Sequence, residues 1–137
     1  MAYEHNIIAD QHWFIGEDKF LEFEILADDG KLVSDPTKAV EDVTTWVIVW
    51  SMKKTDAASD PALVEKRTTT GGIAITGIYN ATRSVNTQRV RVTIDDSDTD
   101  LLKAATLRHS LKRLTSGSET ILTFGSVALL KATAPAS

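Results

Sequence analysis

Several groups of residues in this chain stand at spacings that could support chemistry. Asp96-Ser97-Asp98-Thr99-Asp100 places a carboxylate at every second position, and oxygen ligands so spaced can converge on a hard cation such as calcium. A complete loop of that kind also needs glycine at its sixth place and glutamate at its twelfth; here those places hold Leu101 and Leu107. The pattern fails where it is most demanding, and the stretch reads as an acidic loop between strands whose Asp and Thr side chains cap the turn. The three histidines, His5, His12 and His109, form no pair at helical ligand spacing and no H-E-x-x-H. His109 shares an apolar strand face with Leu107 and Leu111, where a hydrogen-bonded core or interface imidazole is expected before a ligand or a base.

Nucleophilic and phosphate-binding patterns are equally sparse. No serine stands in G-x-S-x-G, and Gly71-Gly72 is followed by no G-K-[ST]. Glu22 and Glu24 project from one strand face roughly 7 Å apart, a separation that suits paired-carboxylate hydrolysis only inside a cleft; on an open strand it is solvated surface. Trp13, Trp46 and Trp50 could stack on a sugar ring. Trp46 and Trp50, however, share a face with Ile48 and Met52 and are expected in the core. His12, Trp13 and Phe14 form an apolar arm near the terminus. They are the candidate partner-binding residues, since aromatic anchors dominate interface energetics; the competing reading has the arm cover one end of its own domain. No catalytic, metal or cofactor-binding residue is assigned, so no enzyme and no cofactor is expected.

The elements that would position these residues alternate with a period of two, the signature of strands with one buried face. In Thr45-Trp46-Val47-Ile48-Val49-Trp50-Ser51-Met52-Lys53, the residues Trp46, Ile48, Trp50 and Met52 point one way. In Lys19 to Leu26, the residues Leu21, Phe23 and Ile25 face in while Glu22 and Glu24 face water; Asp28-Asp29-Gly30-Lys31 then turns. Leu32 to Val43 reads as a connection. Ala62 to Thr68 is ambiguous between helix and strand, with Gly71-Gly72 favouring a strand and turn. Ile73 to Thr76 is a short strand. Ser84 to Asp95 is a strand with Val90, Val92 and Ile94 inward, and Thr106 to Arg113 is another. Ser116-Gly117-Ser118 reads as a hairpin turn. Thr120 to Phe124 and Val127 to Lys131 close the sheet, with a bulge expected at Gly125. The spacing predicts an all-β, antiparallel two-sheet sandwich of about 7–9 strands. The division is an N-terminal lead-in over 1–15, the sandwich over 16–132 and a tail over 133–137.

The 137 residues suffice for one domain with a real core. The net charge of −4 disfavours nucleic acid, whose binders show a basic face. Arg83, Arg89, Arg91, Arg108, Lys112 and Arg113 gather in the C-terminal half and read as solvent-facing strand positions. There is no cysteine, which removes disulfides, thiolate chemistry and Cys-ligated zinc. Met1 to Asp10 carries Glu4, His5 and Asp10 and no long apolar run, so no signal peptide is expected. No stretch approaches the ~20 apolar residues of a membrane span, and no membrane partner is expected.

Two segments carry a family likeness. One is Gly16-Glu17-Asp18-Lys19-Phe20-Leu21-Glu22-Phe23-Glu24-Ile25-Leu26 with Asp28-Asp29-Gly30. The other runs Val90 to Leu102, then Leu107-Arg108-His109-Ser110-Leu111, then Ser116 to Val127. Their order resembles the immunoglobulin-like domains of tailed-phage structural proteins, notably the N-terminal domain of baseplate upper proteins. That family opens on a G-D step before a strand with an inline D-G turn, and its last strand follows a glycine. Where it has Gly-x-Tyr entering the penultimate strand, this chain reads Ala105-Thr106-Leu107. The resemblance implies an immunoglobulin-like sandwich and a virion part of the tail, baseplate or neck without catalysis. Its partners would be other virion proteins and itself, and it would be assembled in host cytoplasm. A capsid decoration protein on the outer head surface is the alternative, and a carbohydrate-binding module with a glycan ligand is a further one.

Overall fold

In a computed structural model of the chain, which describes residues 3–4, 13–55, 57, 61–115 and 118–131, the alternating segments become strands. These are β1 (Tyr3–Glu4), β2 (Lys19–Phe23), β3 (Val47–Lys53), β4 (Val64–Arg67), β5 (Ile73–Thr76), β6 (Arg89–Ile94), β7 (Ala105–Thr115) and β8 (Ser118–Leu129). They form two sheets, ordered β1-β8-β7-β3-β4 and β2-β6-β5. All pairings are antiparallel except that of the short β1 on β8. The fold is therefore all-β with two stacked antiparallel sheets.

The period-two pattern explains the stacking. Leu21 and Phe23 of β2, Ile73 of β5 and Val90, Val92 and Ile94 of β6 supply one inner face. Ile48, Trp50 and Met52 of β3, Val64 of β4, Leu107 and Leu111 of β7 and Val127 and Leu129 of β8 supply the other. Each fully buried aliphatic side chain of this kind contributes about 1.5–3 kcal/mol relative to exposure, which far exceeds what the short ladders give alone. β3 lies between β7 and β4, so even its outward residues Val49 and Ser51 are buried, flanked in the ladder by Arg67 and Lys112 and by Glu65 and Ser110.

The segment at 62–68 forms strand β4 over Val64–Arg67, the strand that Gly71-Gly72 favoured. Three expectations need correction. The two closing strands are one continuous β8, and Gly125 is not a bulge: it pairs in register with His109. The irregularity falls earlier, where Leu111 pairs with Thr123 and Lys112 with Ile121, leaving Leu122 without an opposite residue. That explains why the consecutive Leu122 and Thr123 are both buried, since an inserted residue turns two neighbours to one side. The acidic segment is not merely a loop: Asp96–Thr99 (α1) makes one helical turn, and the Asp98 carboxylate accepts the Asp95 N–H at 2.8 Å, an N-terminal capping contact. Arg83 is not on a strand either; it starts a 3₁₀ turn, Arg83–Val85, between β5 and β6. The turn expected at Ser116-Gly117 lies outside the described residues.

Two connections form a bonded unit at one end of the sandwich. The segment between β2 and β3 folds on itself through Lys38, whose fully buried ammonium donates to Asp29 Oδ1 and to the Lys31 carbonyl, both at 2.9 Å. The segment between β5 and β6 grips it. Arg83 Nη1 donates to the carbonyls of Val33 and Asp35 at 2.7 Å each, and Arg83 Nε reaches Glu24 at 3.0 Å. Gln88 closes the contact by accepting the Val43 N–H and donating to Asp42 and Thr44.

Candidate functional site

Of the arm residues, Trp13 and Phe14 are described, and they do not lie together on a free surface. Trp13 is wholly buried and stacks on Trp50, with ring centroids 6.4 Å apart and planes inclined by 25°. The Lys19 ammonium lies 5.8 Å from its ring centroid. Phe14 is half-buried and bridges to Leu130 in parallel, and the backbone there is fixed from both sides: Ile15 N–H donates to the Leu130 carbonyl, and Leu130 N–H to that of Trp13. His12 lies outside the described residues. Trp13 is thus part of this domain's own core, which is the competing reading of the arm. The period-two pattern could not reveal it, because 13–15 is a single bridging turn of chain with no alternation.

His109 is where its strand face predicts, buried between the sheets. Its Nδ1 accepts the Trp50 indole N–H at 3.2 Å, and its ring lies 6.4 Å from that of Phe23. With Nδ1 accepting that bond, the imidazole belongs to the hydrogen-bonded core that its strand face predicts. The acidic segment also spends its groups locally. The Asp98 carboxylate pairs with Lys66 at 2.8 Å, and the Asp96 N–H donates to Asp18 Oδ1 at 2.7 Å. Among the described residues no cluster of three His, Asp or Glu could hold a metal ion.

A shallow depression of about 330 Å³ lies on the outer face of β3, β7 and β8. Ser51, Lys53, Thr55, Arg108, His109, Ser110 and Lys112 line it, with Ile121 and Phe124 as its apolar side. Strand register explains the grouping: Ser51 lies opposite Ser110 and Lys53 opposite Arg108, and β7 pairs Ser110 with Phe124. Arg108 donates to Ser126 Oγ at 2.5 Å and Lys112 lies 3.5 Å from Glu119, so these cations are partly engaged within the sheet. The arrangement could favour a negatively charged group on Coulombic grounds. Sequence reading missed this grouping because a cation pair on adjacent strands far apart in sequence has no signature along the chain.

The carboxylates with displaced titration are structural. Asp29 is held well below the usual carboxylate range by the Ala39 N–H, then by the Lys38 ammonium and the Lys31 N–H. Asp35 is lowered by the Thr37 hydroxyl and N–H, and Asp42 by the Thr44 hydroxyl, the Gln88 amide and the Thr44 N–H. All three shifts stabilise the ionised form by hydrogen bonding, which suits loop closure and not proton transfer near neutral pH.

No family model matches this chain, and no curated protein matches it.

Proposed function

We propose that this chain is a non-enzymatic structural component of a tailed-phage virion, of the tail, baseplate or neck, acting through protein–protein contacts. The observation that carries the reading is the strand order. An immunoglobulin-type sandwich sets strands B, E and D in one sheet against G, F, C and, in the variable type, C′ in the other. Strands β2, β6 and β5 take the places of B, E and D, and β8, β7, β3 and β4 those of G, F, C and C′. Such domains centre on a tryptophan of strand C against a covalent link from B to F. Here Trp50 of β3 packs on His109 of β7, ring centroids 6.1 Å apart, and Phe23 of β2 meets the same imidazole. Aromatic packing stands where a disulfide would otherwise tie the sheets. This core supports the immunoglobulin-like reading, and the family resemblance of the sequence carries that to a virion part.

The negative net charge and the engaged outer-face cations speak against a nucleic-acid groove. A capsid decoration protein would act by the same contacts in another layer of the particle. A carbohydrate module would need exposed coplanar aromatics, but Trp13 and Trp50 are fully buried and Arg113 lies 3.8 Å over the ring of Trp46.

Mass spectrometry of purified particles, with cryo-electron microscopy of a tagged copy, tests the proposal. The chain is expected in the tail, baseplate or neck in a fixed stoichiometry. Its absence from the particles, or turnover of a substrate by the purified protein, would overturn the reading.

A further inference from the structure

We infer that the free edge of β2 is a self-association surface, on which β2 of a second copy of this chain pairs antiparallel about a two-fold axis at Leu21. The inference deepens the contact-forming reading above by naming one partner and the strand that meets it.

The edge is open among the described residues. β2 is the outermost strand of the sheet β2-β6-β5. The chain's first strand, β1, lies instead on β8 of the opposite sheet. The direction of the unpaired groups follows from the ladder. Thr93 donates its N–H to the Gly72 carbonyl at 2.8 Å, on the side of β6 away from β2. In an antiparallel ladder hydrogen-bonded and non-bonded pairs alternate. Thr93 with Phe20 and Arg91 with Glu22 are therefore the non-bonded pairs of this register, so the N–H and C=O of Phe20 and Glu22 point outward from the sheet. β2 carries no proline and no bulge, two of the devices that protect an exposed edge. Its one lysine, Lys19, lies over Trp13.

Face and charge select one register. Leu21 and Phe23 face the core while Phe20 and Glu22 face outward, so a continuous six-stranded sheet requires an even sum of paired residue numbers. Centring on Leu21 sets Lys19 against Phe23 and Phe20 against Glu22, with Leu21 against itself. The outward groups of Phe20 and Glu22 then meet as bonded pairs, giving four backbone hydrogen bonds by symmetry. Sliding one step one way opposes Glu22 to Glu22; sliding the other way opposes Asp18 to Glu22. Like charges directly opposite destabilise a strand pair. In the chosen register the first like-charge pair is Asp18 with Glu24, beyond the strand, where Glu24 is already paired with Arg83 and Arg89. Each Glu22 keeps Arg91 as its neighbour within its own copy, and that guanidinium lies 3.9 Å over the Phe20 ring. A strand-to-strand seam buries less than a standard interface, so a weak dimer is expected.

Sedimentation velocity across a concentration series tests this on the full chain. The wild type is expected to pass from monomer to dimer. Glu22→Pro removes an outward N–H that no internal ladder bond uses, a position where an edge strand accepts proline. It should leave the unfolding midpoint near wild type and weaken dimerisation by about tenfold or more. Phe20→Glu sets two carboxylates against each other and should also dissociate the dimer, while Phe20→Glu with Glu22→Lys restores it. A wild type that stays monomeric throughout overturns the inference, as does a dimer indifferent to both single variants. Because the measurement uses purified protein, its failure leaves the virion reading standing, and absence from particles leaves the dimer standing.

Discussion

Trp50 and His109 form the most consequential single polar contact of the core, because both partners are buried and the indole N–H has one acceptor, Nδ1. Replacing His109 with leucine keeps an apolar side chain of similar size and strands the donor. Leaving a buried donor unsatisfied costs about 1–3 kcal/mol, so His109→Leu should lower the unfolding free energy by that amount, read as a lower urea midpoint with an unchanged slope; an unmoved midpoint would mean that the indole finds another acceptor. Asp29 carries the clearest pH dependence. Its folded pKa lies below the unfolded value, so its contribution is present above the ordinary carboxylate range and is lost as pH falls through the folded value. The stability difference between wild type and Asp29→Asn should therefore be fully developed near neutrality and shrink below about pH 4. Urea titrations at several pH values measure it, and a difference constant with pH would refute the assignment. Lys38 explains the demand for an anion there: among the described residues its buried ammonium donates to Asp29 and to the Lys31 carbonyl.

The connection from β5 to β6 is the element whose backbone is least forgiving. Gly77 has φ +74°, and a Cβ there would collide with the Thr87 carbonyl, which is fixed by its neighbours. Gly30 has a similar φ of +79° but opens on empty space. Gly30→Ala should therefore cost only the left-handed penalty, about 1–2 kcal/mol, while Gly77→Ala adds the displacement of a paired strand end and should cost clearly more. Paired thermal unfolding experiments give the ranking, and equal losses would mean that the β5–β6 connection shifts freely. The same elements show what the sequence made legible. β5 falls where its four residues predict, and the inward sets of β2, β6 and β7 are buried as alternation requires. Alternation is a local property, so it reports the face of each strand. It could not report the Leu122 irregularity, which depends on the register between β7 and β8, nor the single turn α1, too short to show a helical period. Arg83 was misread because its value lies in carbonyls some fifty positions away. The depression beside Lys53 and Arg108 was illegible for the same reason: pairing across strands brings those cations together.

For the molecule as a whole, the open question is whether the N-terminal segment serves the domain or a neighbour. Trp13 bears on this directly, since its ring is enclosed against Trp50 and its flanks are hydrogen-bonded to Leu130. Replacing a buried tryptophan by alanine costs about 3–5 kcal/mol, a large share of the ~5–15 kcal/mol by which a domain is stable. Trp13→Ala should thus give a markedly lower melting temperature. Deletion of residues 2–14, which also removes β1 from β8, should give a chain that does not fold, read by loss of near-ultraviolet circular dichroism. Trp13→Phe discriminates further. The indole N–H of Trp13 is buried with no partner among the described residues, so the phenyl ring gives up some packing but also relieves an unsatisfied donor. Its cost should fall well below that of the alanine variant. If the deletion instead yields a monomer of normal stability that has lost only its capacity to join a larger assembly, the segment is an anchor for a neighbour and its burial against Trp50 is incidental. A core role makes folding and assembly fail together; an anchor role separates them.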